Sequence, residues 1–205
     1  MKKEEALLTF AQTELKAASQ EFLRETMSFL EKEERKNTAK QFAQSIAHAL
    51  KEASGLSYLQ IVLMRSKALL GEPFYRFEAY GEKFYLLEPI LAESVPLDWL
   101  YNAYRSFMKQ LDQESKKYMG SVGEQELSRI KLAQLWTCQK IIHFLFFESL
   151  GYLLQTEEYE KLDAKKKIQF HLGEYRGEYE VLMTKDEKME KIGGLFRGIL
   201  LAEGT

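Results

Sequence analysis

From Ile141 to Leu154 the chain is apolar on almost every side of a helix, interrupted only by His143 and Glu148. The stretch is too short to cross about 30 Å of bilayer hydrocarbon. It predicts a buried helix that needs other elements around it. Upstream, Leu127, Ile130 and Ala133 share one face, so the pattern extends the helix from about Glu124 to about Leu154. A helix of that kind belongs in the middle of a bundle, and much of the remaining sequence reads as the walls of one.

Near the start, Leu8, Leu15, Phe22 and Phe29 recur every seventh position, with Ala11 and Ala18 beside the first two, which predicts an amphipathic helix. The charged run EKEERKN follows without an apolar anchor. Thr38 and Gln41 then have capping-box spacing, so a second helix is expected to begin there. Its stripe is Ala39, Phe42, Ala43, Ile46, Ala47 and Leu50, and Gly55 is placed to end it in a left-handed conformation. Leu56 to Leu70 reads as a third, more buried helix with strand as the alternative at its start, closed by Gly71 and Pro73. Pro96 and Asp98 open another, with Leu100, Ala103, Tyr104, Phe107 and Leu111 inward. Asp186 to Leu201 predicts a closing helix with Met189, Ile192 and Phe196 on its inner face. No linker is long enough to divide the chain, so residues 1–205 are expected to form a single domain.

Two segments break the helical period. Over 74–87, Tyr75, Phe77 and Ala79 alternate with Arg76, Glu78 and Tyr80, and Gly81 precedes Phe84 and Tyr85, which predicts a β-hairpin. Over 167–183, Ile168, Phe170 and Leu172 alternate, Gly173 and Gly177 interrupt, and Tyr179, Val181 and Met183 alternate again. An isolated hairpin is marginal in water, so the two segments must pack on helices or share a sheet. The expected fold class is mainly α, a multi-helix bundle with one or two small β-hairpins.

Composition removes several kinds of function. Lys and Arg total 29 against 31 Asp and Glu, a net charge of -2, so the basic field that drives nucleic-acid binding is missing. SIAHALKEASGLS has the outline of a helix-turn-helix, but the segment after Gly55 has no basic, polar recognition face. One cysteine, Cys138, excludes an internal disulfide, and Glu4 and Glu5 interrupt the apolar run a secretory signal would need. The expected location is the cytoplasm, with no membrane contact.

Catalytic spacing is scarce. His143 and Glu148 stand five residues apart, about 500° of helical rotation, which leaves their side chains on different faces, and Phe147 takes the position facing His143. Each reads as separately satisfied unless other helices complete a site. Cys138 has no neighbouring cation in sequence to lower its pKa and reads as a core thiol. His48 and His171 fall in separate elements, and no HExxH, ExxH or CxxC spacing occurs, so neither a metal nor a cofactor is expected. The glycines at 193, 194 and 198 lack the remainder of a phosphate-binding fingerprint, and Lys165 to Lys167 follow an acidic stretch and read as a solvated face.

The most unusual composition is GEYRGEYE, Gly173 to Glu180. It reads as a hairpin loop, and its tyrosines and arginine are of the kinds enriched at interaction hot spots. The first hairpin carries more rings than a two-stranded ribbon can hide. The leading expectation is therefore a non-enzymatic module that self-associates or binds a protein partner through an aromatic surface, with Tyr75, Tyr80, Tyr175, Arg176 and Tyr179 as binding residues. The alternative is a small-molecule-binding bundle or enzyme with a pocket between helices, built by Tyr104, Trp136, His143 and Glu148. There His143 or Glu148 would serve as acid or base.

Overall fold

The computed structural model describes residues 3–162 and 167–185. In chain order the elements are α1 (Lys3–Phe10), a π-helical turn (Ala11–Leu15), α2 (Lys16–Ser28), α3 (Lys32–Glu52), β1 (Tyr58–Leu63) and α4 (Arg65–Leu69). Then come β2 (Tyr75–Tyr80), a 3-10 turn (Phe84–Leu86), β3 (Leu91–Ser94), α5 (Asp98–Ser115), a second 3-10 turn (Lys116–Tyr118), α6 (Glu124–Leu153), α7 (Glu157–Glu160), β4 (Ile168–Glu174) and β5 (Tyr179–Lys185). The closing helix expected over Asp186 to Leu201 lies outside the described residues, as do the glycines at 193, 194 and 198 and Lys165 and Lys166.

The fold class differs from the expected bundle. Of the described residues, 61% are helical and 17% lie in strands, and the strands form a five-stranded mixed sheet. This is an α+β fold. The decisive segment is Tyr58–Leu63, expected mainly as helix. It is instead β1, the central strand in the order β3-β2-β1-β4-β5. A strand buried on both faces carries a continuous apolar run and loses the period-2 signature, so YLQIVL cannot be told from a buried helix by pattern alone. The two β segments do share a sheet, but β1 stands between them, antiparallel to β2 and parallel to β4. The hairpin expected over 74–87 extends further than that, to Ser94. Phe84 and Tyr85 sit in the 3-10 turn, and the returning strand is β3, antiparallel to β2.

The chain divides into two compact units, each assembled from several segments: residues 1–35, 65–74 and 97–141 in one, 36–64, 75–96 and 142–205 in the other. In the first, α5 keeps the expected stripe, with Leu100, Ala103, Tyr104, Phe107 and Leu111 buried. Phe22 of α2 meets Tyr104 and Phe107 at ring-centroid distances of 6.5 and 5.9 Å. The seven-residue seam of the first helix is not kept. Phe10, Ala18, Phe22 and Thr26 are buried while Leu8 is exposed, because the π-helical turn adds a residue to the repeat and rotates the face presented to α5.

In the second unit α3 begins earlier than Thr38 but buries the whole expected stripe from Ala39 to Leu50, and Gly55 beyond its end has φ +77°. One face of the sheet is apolar: Leu59, Ile61 and Leu63 of β1, Tyr75, Phe77 and Ala79 of β2, and Phe170 and Leu172 of β4 are all buried. Phe42 of α3 lies 6.0 Å from Phe77, and Phe146 of α6 lies 6.0 Å from Phe170. Helix α6 has the expected bounds but is not encased: Phe144, Phe147 and Glu148 are exposed, and Ala133 is on the solvent side. Lys185, at the end of β5, is buried; its ammonium donates to the carbonyls of Tyr159 and Leu162, each at 2.9 Å, and pins the α7 segment to the strand.

Candidate functional site

The opposite face of the sheet carries polar side chains where a core would carry apolar ones. Register places Gln60 of β1 beside Glu78 of β2 on one side and His171 of β4 on the other. These three residues, one from each of the three inner strands, form a row across the sheet, and all are buried. Buried polar groups cost free energy unless they are hydrogen-bonded, and much of the row is. Tyr80 donates its hydroxyl proton to Glu78 Oε2 at 2.6 Å, and the Arg76 guanidinium pairs with Glu78 Oε1. Tyr85 donates to Gln60 Oε1 and is also hydrogen-bonded to the Arg176 backbone.

Burial and the neighbouring Glu78 carboxylate raise the Tyr80 hydroxyl well above its ordinary pKa. Burial raises that of Tyr85 as well. The same loss of solvation lowers His171 to about 4, so its imidazole is neutral near pH 7. His171 Nε2 lies 3.3 Å from Gln169 Oε1; in the tautomer that donates to this oxygen, the proton is on Nε2 and Nδ1 is an acceptor. Among the described residues, neither Nδ1 of His171 nor Nε2 of Gln60 has a hydrogen-bond partner.

Rings roof the row. Phe84 stands at their hub, 4.7 Å from Tyr58, 5.1 Å from Tyr80, 4.1 Å from Tyr85, 5.6 Å from His171 and 5.6 Å from Tyr179. Its φ of +42° is a conformation bulky residues rarely adopt. Tyr179 stacks on His171 at 4.5 Å with a 12° angle between planes. That stack requires Gly173: a Cβ there would come within 2.6 Å of Tyr179 Cα. At the tip of the β4–β5 hairpin, Arg76 and Arg176 both lie over the ring of Tyr175, at 5.0 and 5.4 Å. Tyr175, Tyr179 and Val181 are 42%, 47% and 50% exposed, so the cluster runs from a buried polar floor to an open aromatic rim.

Of the residues singled out in the sequence, Tyr80, Tyr175, Arg176 and Tyr179 come together here. Tyr80 is buried and holds Glu78, while the other three form the rim. Tyr75 belongs to the apolar face and is fully buried, a core residue with no surface to offer. Trp136 is 64% exposed, with the Lys140 ammonium 5.4 Å from its ring. Tyr104 is buried and donates to the Lys131 carbonyl at 2.7 Å. His143 is half-exposed; its ring meets Phe147 at 4.8 Å and its Nε2 lies 3.9 Å from Glu180 Oε1. Glu148 is exposed, and Cys138 is buried with its thiol pKa raised by desolvation.

Arg76, Glu78 and Tyr85 read in the sequence only as parts of a hairpin, His171 only as an isolated histidine and Gln60 not at all, so none of the five was expected at a site. The available signal was faint: Gln60, Glu78 and His171 interrupt the apolar residues of YLQIVL, YRFEAY and IQFHLGE near their middles. A groove elsewhere in this unit also had no sequence signal. A groove of about 490 Å³ runs along α3, lined by Gln41, Gln44, Ser45, His48, Glu93 and Ser94, with His48 Nε2 3.7 Å from Glu93 Oε2. No group of three or more His, Cys, Asp or Glu side chains able to hold a metal occurs among the described residues. Among them, no helix is long and apolar enough to cross a membrane. Comparison of the chain with protein-family models, with curated proteins and with solved structures gives no match.

Proposed function

We propose that this protein is a non-enzymatic cytoplasmic module that binds another protein chain, a second copy of itself included, through the rim of the β4–β5 hairpin. One observation carries the reading. Tyr175, flanked by the guanidinium groups of Arg76 and Arg176, stands exposed on the same hairpin as the exposed Tyr179 and Val181. Tyr and Arg dominate interaction hot spots because they bring large contact area and planar multidentate donors at small entropic cost. The guanidiniums favour a partner surface with carboxylates among its apolar side chains. A net charge of -2 argues against nucleic acid as that partner.

The test is sedimentation velocity of the purified protein over a wide concentration range, repeated with Tyr175→Ala and Arg176→Ala. Concentration-dependent association that both substitutions weaken, at unchanged melting temperature, supports the reading. Association indifferent to both removes this surface from the interface, and a chain that stays monomeric throughout removes self-association.

A further inference from the structure

We propose that Gln60 and His171 form a recognition pair for a small planar heterocycle that carries an acceptor nitrogen next to an exocyclic amine, and that Phe84 is the plug over it. The two side chains are register partners on the adjacent parallel strands β1 and β4, both fully buried. Among the described residues, each keeps one unused group. Gln60 Nε2 offers N–H donors, because its carbonyl oxygen already accepts from Tyr85, and His171 Nδ1 offers a lone pair in the tautomer that donates from Nε2 to Gln169. Two such groups on facing register positions of adjacent strands, beneath a cover of rings, are costly in a sheet that could have carried a valine and a leucine. One supplies a donor and the other an acceptor from the same face of neighbouring strands, the complement of the amidine edge of adenine or cytosine. The rings of Tyr58 and Tyr179, which remain beside His171 when Phe84 leaves, suit a flat aromatic ligand better than an aliphatic one.

Phe84 occupies the position over the row. It does so at φ +42°, in a single 3-10 turn that follows Gly81, and its neighbours Leu86 and Leu87 are exposed. A side chain in a disfavoured backbone region stays there only while its surroundings hold it, and such residues cluster at ligand clamps and switch segments. Its ring lies 5.6 Å from His171 and 4.1 Å from Tyr85, the residue that holds Gln60, so its release loosens the cover of both.

The probe is adenine, with purine, which keeps the ring nitrogens but lacks the exocyclic amine, as the comparison. Full-length protein labelled with ¹⁵N at histidine is titrated with each, and the His171 Nδ1 resonance is followed. Adenine is expected to shift it saturably, and purine to bind about tenfold more weakly, since it leaves the buried acceptor unpaired. In His171→Phe, which keeps the stack on Tyr179, adenine binding by calorimetry should fall to the purine level. Phe84→Ala, which spares both recognition groups, should tighten adenine binding severalfold by raising the share of open molecules. No response of His171 to adenine, an adenine preference that survives in His171→Phe, or weaker binding in Phe84→Ala overturns the proposal.

Discussion

The two faces of the sheet are built from the same strands and held by different physics. On one, Leu59, Ile61, Phe77, Ala79, Phe170 and Leu172 are buried beneath the rings and aliphatics of α3 and α6. On the other, Gln60, Glu78 and His171 are buried just as deeply, but what holds them is a set of named pairs: Arg76 on Glu78, Tyr80 on Glu78, Tyr85 on Gln60, Tyr179 on His171. Non-directional burial tolerates exchange of one apolar side chain for another of similar volume. Directional pairing in a dry site does not, because a lost partner leaves a charge or a polar group stranded. The difference teaches where change is affordable: the apolar face can drift in sequence while the polar face has to keep its partners.

The largest effect that bears on this contrast comes from Arg76→Met, which keeps much of the side-chain volume but strands the Glu78 carboxylate. Chemical denaturation should show a loss of about 3–5 kcal/mol, against less than about 1.5 kcal/mol for Ile61→Leu on the apolar face. Equal losses would mean that the two faces are stabilised alike. Gly173→Ala comes next. Its Cβ would sit within 2.6 Å of Tyr179 Cα, so the hairpin must open or Tyr179 must leave His171, at a cost of about 3 kcal/mol. Loss of the Tyr179–His171 ring contact, read from tyrosine chemical shifts, separates the second route from the first.

Acid should act on the polar face through His171. Its folded pKa of about 4 lies below the ordinary value of 6.5, so the unfolded chain binds the proton more readily between those values. Stability is therefore fully present above about pH 6.5 and declines as the pH falls towards about 4. The slope of unfolding free energy against pH in this window should flatten in His171→Phe; a slope that persists assigns the acid sensitivity to other groups. The smallest effect on stability is expected for Tyr175→Ala, within about 0.5 kcal/mol because the ring is at the surface, while its effect on association is the one that matters for the proposed function. A large fall in melting temperature would show instead that the Arg76–Tyr175–Arg176 contact is part of the frame that holds Glu78.

The helices were legible from sequence where one face meets solvent. Leu100, Ala103, Tyr104, Phe107 and Leu111 announce α5 because their spacing matches the helical repeat, and the bounds of α6 follow from its length and apolar content. The stripe of α3 is equally plain, although its start is earlier than the capping pair suggested. Strand β2 and the β4–β5 hairpin were visible through alternation and glycine. Rim residues Tyr175, Arg176 and Tyr179 stood out because Tyr and Arg crowd a loop. Phe84 and Tyr85 were noticed as rings but assigned to a strand, since nothing local distinguishes an aromatic pair in a strand from one in a tight turn.

What the sequence determined by itself is the set of pieces: amphipathic helices, two β segments, a ring-rich core, a near-neutral charge and a single buried cysteine. Tertiary structure alone decided that Tyr58–Leu63 is a strand, because a segment covered on both faces has no periodicity to display. It alone also brought Gln60, Glu78 and His171 into one row. They are separated by long stretches of chain, each is an ordinary polar interruption in its own segment, and only the register of three strands makes them neighbours. Register is a property of pairing between strands, so a site built on it cannot be read along any one of them.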